Sequence, residues 1–168
     1  AAYAIGRSLG YIPGVGIVEQ GATIRVLAEP VSVTRDGITV TVTEATLAAD
    51  KTVLTYTIEN VPWDAISHQE DVAGCYGQAN IRLPNGSLLV PQRGGGGMDD
   101  RGRWEARMVY GAFSAEFNEA EFLLDCIRET LPGKAPENWK LNLRFVPAPP
   151  DLTIVPVVDI PTPAAPPQ

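Results

Sequence analysis

Two stretches of this chain alternate between apolar and polar side chains, and that period of two decides what it can fold into. In Ile38-Thr39-Val40-Thr41-Val42-Thr43 every side chain is also β-branched, and Trp139, Leu141, Leu143 and Phe145 alternate with Lys140, Asn142 and Arg144. A strand sends successive side chains to opposite faces, so each run offers one apolar face and one wet face. A helix would scatter the same residues around its axis. Leu54, Tyr56 and Ile58, alternating with Val53, Thr55 and Thr57, repeat the pattern.

Turn signals punctuate these runs. Asp36-Gly37 and Asn85-Gly86 are hairpin cues, because glycine accepts the positive φ of tight turns. The first joins Pro30–Thr34 to the Ile38 run; the second joins Ile81–Leu83 to Leu88–Val90, and Ala49-Asp50-Lys51 turns the chain between the Ile38 run and the Val53–Ile58 run. Further strands are expected over Thr23–Glu29, 104–110, 120–127 and Leu152–Val158. Pro156 marks the last as an edge or a bulge. About nine short strands predict an all-β domain, an immunoglobulin-like antiparallel sandwich of seven to nine strands first and a barrel second.

Three regions follow. Residues 1–22 form an apolar lead-in, with a short helical turn near 3–9. Residues 23–160 form the sandwich. Residues 161–168, rich in proline, form an extended linker. Further single helical turns fit 63–72 and 114–119. Residues 92–103 are expected to be a loop, since four consecutive glycines, Gly94 to Gly97, are costly to order.

The net charge of −7 excludes a phosphate-backbone partner, which needs a basic surface, and disfavours an anionic membrane surface. No run approaches the length of a transmembrane helix. The apolar opening Ala1-Ala2-Tyr3-Ala4-Ile5-Gly6, with no initiator Met, reads as a cut, either a chosen boundary or the product of a removed segment.

Few side chains suggest chemistry. Cys75 and Cys126 are the only cysteines. Phe122, Leu124 and Cys126 share one strand face by period two, which turns Cys126 inward. A bridge would close a loop of about 50 residues, add about 4 kcal/mol and require an oxidising compartment; two separate buried thiols, or a metal or nucleophile role, are the alternatives. His68, the only histidine, lies in Ser67-His68-Gln69-Glu70-Asp71 and reads as a surface-loop residue, since a triad needs geometry and not sequence neighbours. Asp99 and Asp100 lack the rest of a calcium loop and read as a solvated acidic turn. Gly94–Gly97 is followed by no Lys-Ser/Thr and cradles no phosphate. Arg101, Arg103 and Arg107 surround Trp104 and balance neighbouring acids. Trp63 is expected to pack on the core. No catalytic, cofactor or metal residue is assigned; the candidate ligand loop is Gly94, Gly95, Gly96, Gly97, Met98, Asp99, Asp100 and Arg101 with Trp104.

Arg35-Asp36-Gly37-Ile38-Thr39-Val40-Thr41-Val42 with Leu54-Thr55-Tyr56-Thr57-Ile58, the lead-in Gly10-Tyr11-Ile12-Pro13-Gly14, and Pro136-Glu137-Asn138-Trp139 together resemble a bacterial domain of unknown function. That family occurs in the extracytoplasmic part of single-pass membrane proteins, some of them anti-sigma-factor-like. The resemblance spans residues 3–160. It implies a sandwich, a membrane helix upstream of Ala1, and no catalytic residues to carry over. The expected function is a non-enzymatic binding or sensing module at the cell envelope, with an unknown envelope ligand or protein as partner. A structural spacer or adhesion domain is the alternative, and an envelope hydrolase using His68 a remote one.

Overall fold

The computed structural model describes residues 9–12, 16–19, 23–149 and 155–156. They form an all-β molecule. No helix among them is long and apolar enough to cross a membrane. The expected helical turn near residues 3–9 lies almost wholly outside the described residues, as does the proline-rich linker.

A small three-stranded sheet comes first in the chain. Strands β1 (Leu9–Ile12) and β2 (Gly16–Glu19) form a hairpin, and the last strand, β13 (Val155–Pro156), pairs antiparallel with β1. Pro156 therefore sits on an edge strand, where a missing N–H is tolerated.

The main body is one curled antiparallel sheet. Its strands are β3 (Arg25–Leu27), β4 (Val31–Arg35), β5 (Ile38–Leu47), β6 (Lys51–Glu59), β7 (Ala79–Arg82), β8 (Leu88–Leu89), β9 (Arg93–Met98), β10 (Trp104–Gly111), β11 (Glu119–Leu124) and β12 (Trp139–Pro147). The path of nine runs β8-β7-β11-β12-β3-β5-β6-β10-β9, with β4 paired to β5 beside it. Short β3 is the joint: it pairs with the end of β12 on one side and the end of β5 on the other. Around that joint the sheet curls until its two halves face each other.

Local chemistry sets the turns. Asp36 (φ 49°) and Gly37 (φ 80°) both take left-handed backbone, the two-residue turn whose twist suits a hairpin. At Asn85-Gly86 the loop is one residue longer than the dipeptide cue implies. Gly86 N–H donates to Leu83 O, and Leu83 N–H donates to Ser87 O, so Pro84 and Asn85 make the turn and Gly86 the bulge. A second bulge, between Val42 and Glu44, moves the buried side of β5 from even to odd residues. Ile38, Val40 and Val42 are buried before it, Ala45 and Leu47 after it.

The core lies between the two halves. Val40, Val42, Leu54, Tyr56 and Tyr110 meet Ile81, Phe122, Leu124, Leu141 and Leu143 in one cluster. Tyr56 and Phe122 pack with centroids 5.0 Å apart, and the Tyr110 hydroxyl donates to Ala79 O at 3.0 Å. Buried Trp139 satisfies its indole N–H on Pro136 O at 2.8 Å, as a buried indole must.

Three expectations are corrected. Residues 93–98 are a strand and not a loop: β9 pairs along its whole length with β10. The cause lies in the neighbour. A Cβ on Gly96 would stand 2.6 Å from Glu105 O and 2.8 Å from Trp104 Cζ2, and one on Gly94 would stand 2.8 Å from Arg107 O. Bulky Trp104 and Met108 lean over this strand, and only glycine leaves them room. Trp63 is 75% exposed; a 3₁₀ turn, Trp63–Ala65, directs buried Ala65 to the interior instead. Cys126 is half-buried, and Ile127 takes the interior place. Period two fails because β11 stops at Leu124, where Asp125 Oδ1 accepts the N–H groups of Cys126 and Gln78.

Candidate functional site

At one end of the sheet the chain after β6 and the chain after β11 run side by side. Cys75 and Cys126 stand at disulfide distance there, with Cα atoms 6.2 Å apart, and no described cysteine is free. Backbone bonds lock the two segments over the same span. Glu129 N–H donates to Cys75 O, Cys75 N–H to Thr130 O, Ser67 N–H to Glu129 O and Leu131 N–H to Ala65 O, all at 2.8 Å.

Close approach needs Gly77: its φ is +75°, and a Cβ there would lie 2.9 Å from Arg128 Cβ. Glu129 itself holds a φ of 67° and Asn60 one of 64°. Left-handed backbone is ordinary for asparagine but costs a glutamate on the order of 1 kcal/mol or more, and persists where surroundings over-determine it. The paired hydrogen bonds on both sides of Glu129 supply that constraint.

Between these segments and the β9–β10 hairpin lies a hollow of about 190 Å³ walled by Ile58, Val61, Met98, Trp104, Ile127, Arg128 and Glu129. The Arg128 guanidinium sits 5.7 Å from the Trp104 ring centroid, and its Nε is 3.5 Å from Glu129 Oε1. In the neighbouring core, burial pushes the Tyr56 phenol up to about 12, outweighing a hydrogen bond from Trp104 and the charge of Arg128, which act the other way. The walls other than Arg128 and Glu129 are apolar, and those two charges stand at the rim. Met98 is 66% exposed. Tyr76, beside Cys75, is 89% exposed.

Of the residues predicted from sequence, Met98 and Trp104 meet at this hollow, and the cysteines clamp its far wall. Gly94 to Gly97 do not line it; they are strand. Asp99 is structural. Its carboxylate accepts the N–H groups of Arg101 and Arg103 at 2.9 and 2.8 Å and the Arg103 side chain at 2.8 Å. Those bonds, led by the Arg103 backbone N–H, hold its pKa below the usual carboxylate value. Arg103 also reaches Glu59 at 3.6 Å, so it balances acids as expected. The arginine on Trp104 is Arg128, distant in sequence, and no local pattern announces it. Val61, Ile127 and Glu129 were equally unmarked. His68 is an exposed loop residue whose Nε2 lies 2.9 Å from Trp63 O and whose ring stacks on Trp63 at 3.6 Å.

Several wider grooves lie outside this end. One, of about 610 Å³, crosses the outer face of β7, β11 and β12 over Arg82, Glu121, Asn142 and Arg144. Glu121 there is shared by Lys140 at 2.7 Å and by Arg82. That face is an open, charge-paired surface. Searches against protein-family models, curated proteins and solved structures find no match to the chain.

Proposed function

We propose that this chain is an immunoglobulin-like β-sandwich that serves as a non-enzymatic binding or sensing module, working outside the cytoplasm on a membrane-anchored bacterial protein. The hollow under Trp104 is the observation that carries the reading. At about 190 Å³ it is smaller than the roughly 300–1,000 Å³ of small-molecule sites. It suits one protruding apolar side chain of an envelope protein, with Arg128 and Glu129 available to the partner's backbone or charges. A tryptophan in the wall and an arginine at the rim of such a socket are residue types enriched where binding energy is concentrated. The cysteine pair supports an oxidising compartment, in keeping with an extracytoplasmic place. The relation to anti-sigma-factor-like proteins belongs to the same proposal.

Titration with peptides carrying a single leucine or phenylalanine tests it, followed by amide and indole NMR shifts. Shifts centred on Met98, Trp104 and Ile127, lost in Met98→Glu, are expected. No shift at millimolar peptide, or shifts spread elsewhere, would reject the socket. The spacer reading predicts that Met98→Glu leaves the function of the whole membrane protein unchanged.

A further inference from the structure

The main sheet has two ends, and they are protected differently. β8, at one end, is two residues long and offers little to a stray strand. β9, at the other, has six residues, all exposed, and among the described residues no strand pairs its outer side. Natural edges are usually blunted by charge, proline or a bulge. Gly94 to Gly97 carry no charge and no proline; Arg93 supplies a charge at one end, where Gln92 N–H donates to Val109 O at 2.8 Å beside the Arg93–Val109 pair and marks a bulge.

Its free hydrogen-bonding groups can be assigned. Just beyond the ladder, Asp99 N–H donates to Arg103 O at 2.7 Å, and the register pairs Met98 with Trp104. Amide groups along an antiparallel strand alternate sides. Asp99, Gly97, Gly95 and Arg93 therefore spend theirs on β10, and Gly94, Gly96 and Met98 direct theirs outward. On the sheet face away from the core, Gly95 and Gly97 have nothing within 4 Å of where a Cβ would be, so that face of the edge is open.

The geometry points to a second copy of this chain as the partner, its β9 laid antiparallel along the first about a two-fold axis at Gly96. Matched amide sides require paired residues of equal parity. The register centred on Gly96 alone uses every outward group, pairing Gly94 with Met98 of the second copy, Gly96 with Gly96, and Met98 with Gly94. That register also sets Arg93 opposite Asp99 of the second copy, next to Asp100. The edge carries its positive charge at one end and its two carboxylates at the other, so an antiparallel copy is complementary twice over. The net charge of −7 opposes association of copies in general, which makes this local alternation the feature that selects the site. The interface is isologous and closes at two.

Sedimentation velocity on the 168-residue chain at physiological salt is expected to show a reversible dimer. Met98→Pro removes an outward N–H without touching the β9–β10 ladder and should weaken the dimer about tenfold or more, two bonds being lost per interface. Gly95→Lys, placed in open space, should do the same while leaving the melting temperature intact, which separates loss of pairing from loss of fold. Register is read directly with Arg93→Lys and a zero-length carbodiimide. The introduced amine joins Asp99 or Asp100 only between copies, since along one strand the two positions are about 20 Å apart. A monomer at millimolar concentration overturns the proposal. So does a dimer indifferent to both edge variants, or one lacking that cross-link.

Discussion

Strands β12 and β9 belong to the same sheet, yet they are specified in opposite ways. β12 carries its own instructions: Trp139, Leu141, Leu143 and Phe145 are all buried, and Lys140, Asn142 and Arg144 all face solvent. β9 carries none. Its four glycines bring no side chain to bury and the highest backbone entropy to lose, and it is a strand because β10 presents Trp104 and Met108 to a neighbour without side chains. A strand can be written in its own residues or in those beside it, and only the first kind is visible to a pattern of alternation.

Four measurements test that difference, from the largest effect to the smallest. Leu141→Ala empties a fully buried site on β12 and should cost about 3 kcal/mol, within the range for core leucines, as one cooperative shift of the urea midpoint. A partial unfolding that spares β5 and β6 would show that the two halves are not one unit. Gly96→Ala adds a single methyl group against Glu105 O and Trp104. It should cost about 1–3 kcal/mol and raise hydrogen exchange along β9 and the facing side of β10, with β12 protection unchanged. Gly95→Thr, one residue away, faces open space and adds β-propensity while reducing the freedom of the unfolded chain, so it should stabilise by about 0.5 kcal/mol. Equal losses at positions 95 and 96 would refute the account of β9 as a strand shaped by one crowded face.

The smallest effect is a pH dependence. Asp99 has a lowered folded pKa, set first by the Arg103 backbone N–H, so its stabilisation is in place above the ordinary aspartate value near about 3.9. It fades as the pH falls through the lower folded value. In Asp99→Asn that increment of acid sensitivity should vanish from melts recorded between about pH 5 and pH 2.

The same distinction explains how far the sequence could be read. The all-β class, the Asp36-Gly37 turn, the Ile38 run and β12 were legible, because each is encoded by residues that touch one another along a short stretch. The curl was not, because it depends on β3, three residues that pair with strands far away in sequence. At the candidate site, Met98 and Trp104 could be picked out as unusual residues, and the cysteines by their number. Arg128 and Ile127 could not: they reach the hollow only because Asp125 ends β11 and turns the chain, which shifts the inward position by one residue and leaves Cys126 half-buried. Trp63 misled for a related reason. Its size suggests burial, but stacking on His68 lets it remain outside.

The pairing of β1 with β13 has a mechanical meaning. The chain arrives at Leu9 and departs after Pro156 at the same end of that pair, Gly10 lying opposite Pro156. Tension applied through the two termini would peel these strands apart bond by bond, since antiparallel neighbours loaded from one end open like a zip. The curled sheet hangs beyond that seam as a side loop, and its hydrophobic interior would feel the pull only after the seam has parted. Optical-tweezers traces should then open with a small, low-force extension ahead of the main rupture.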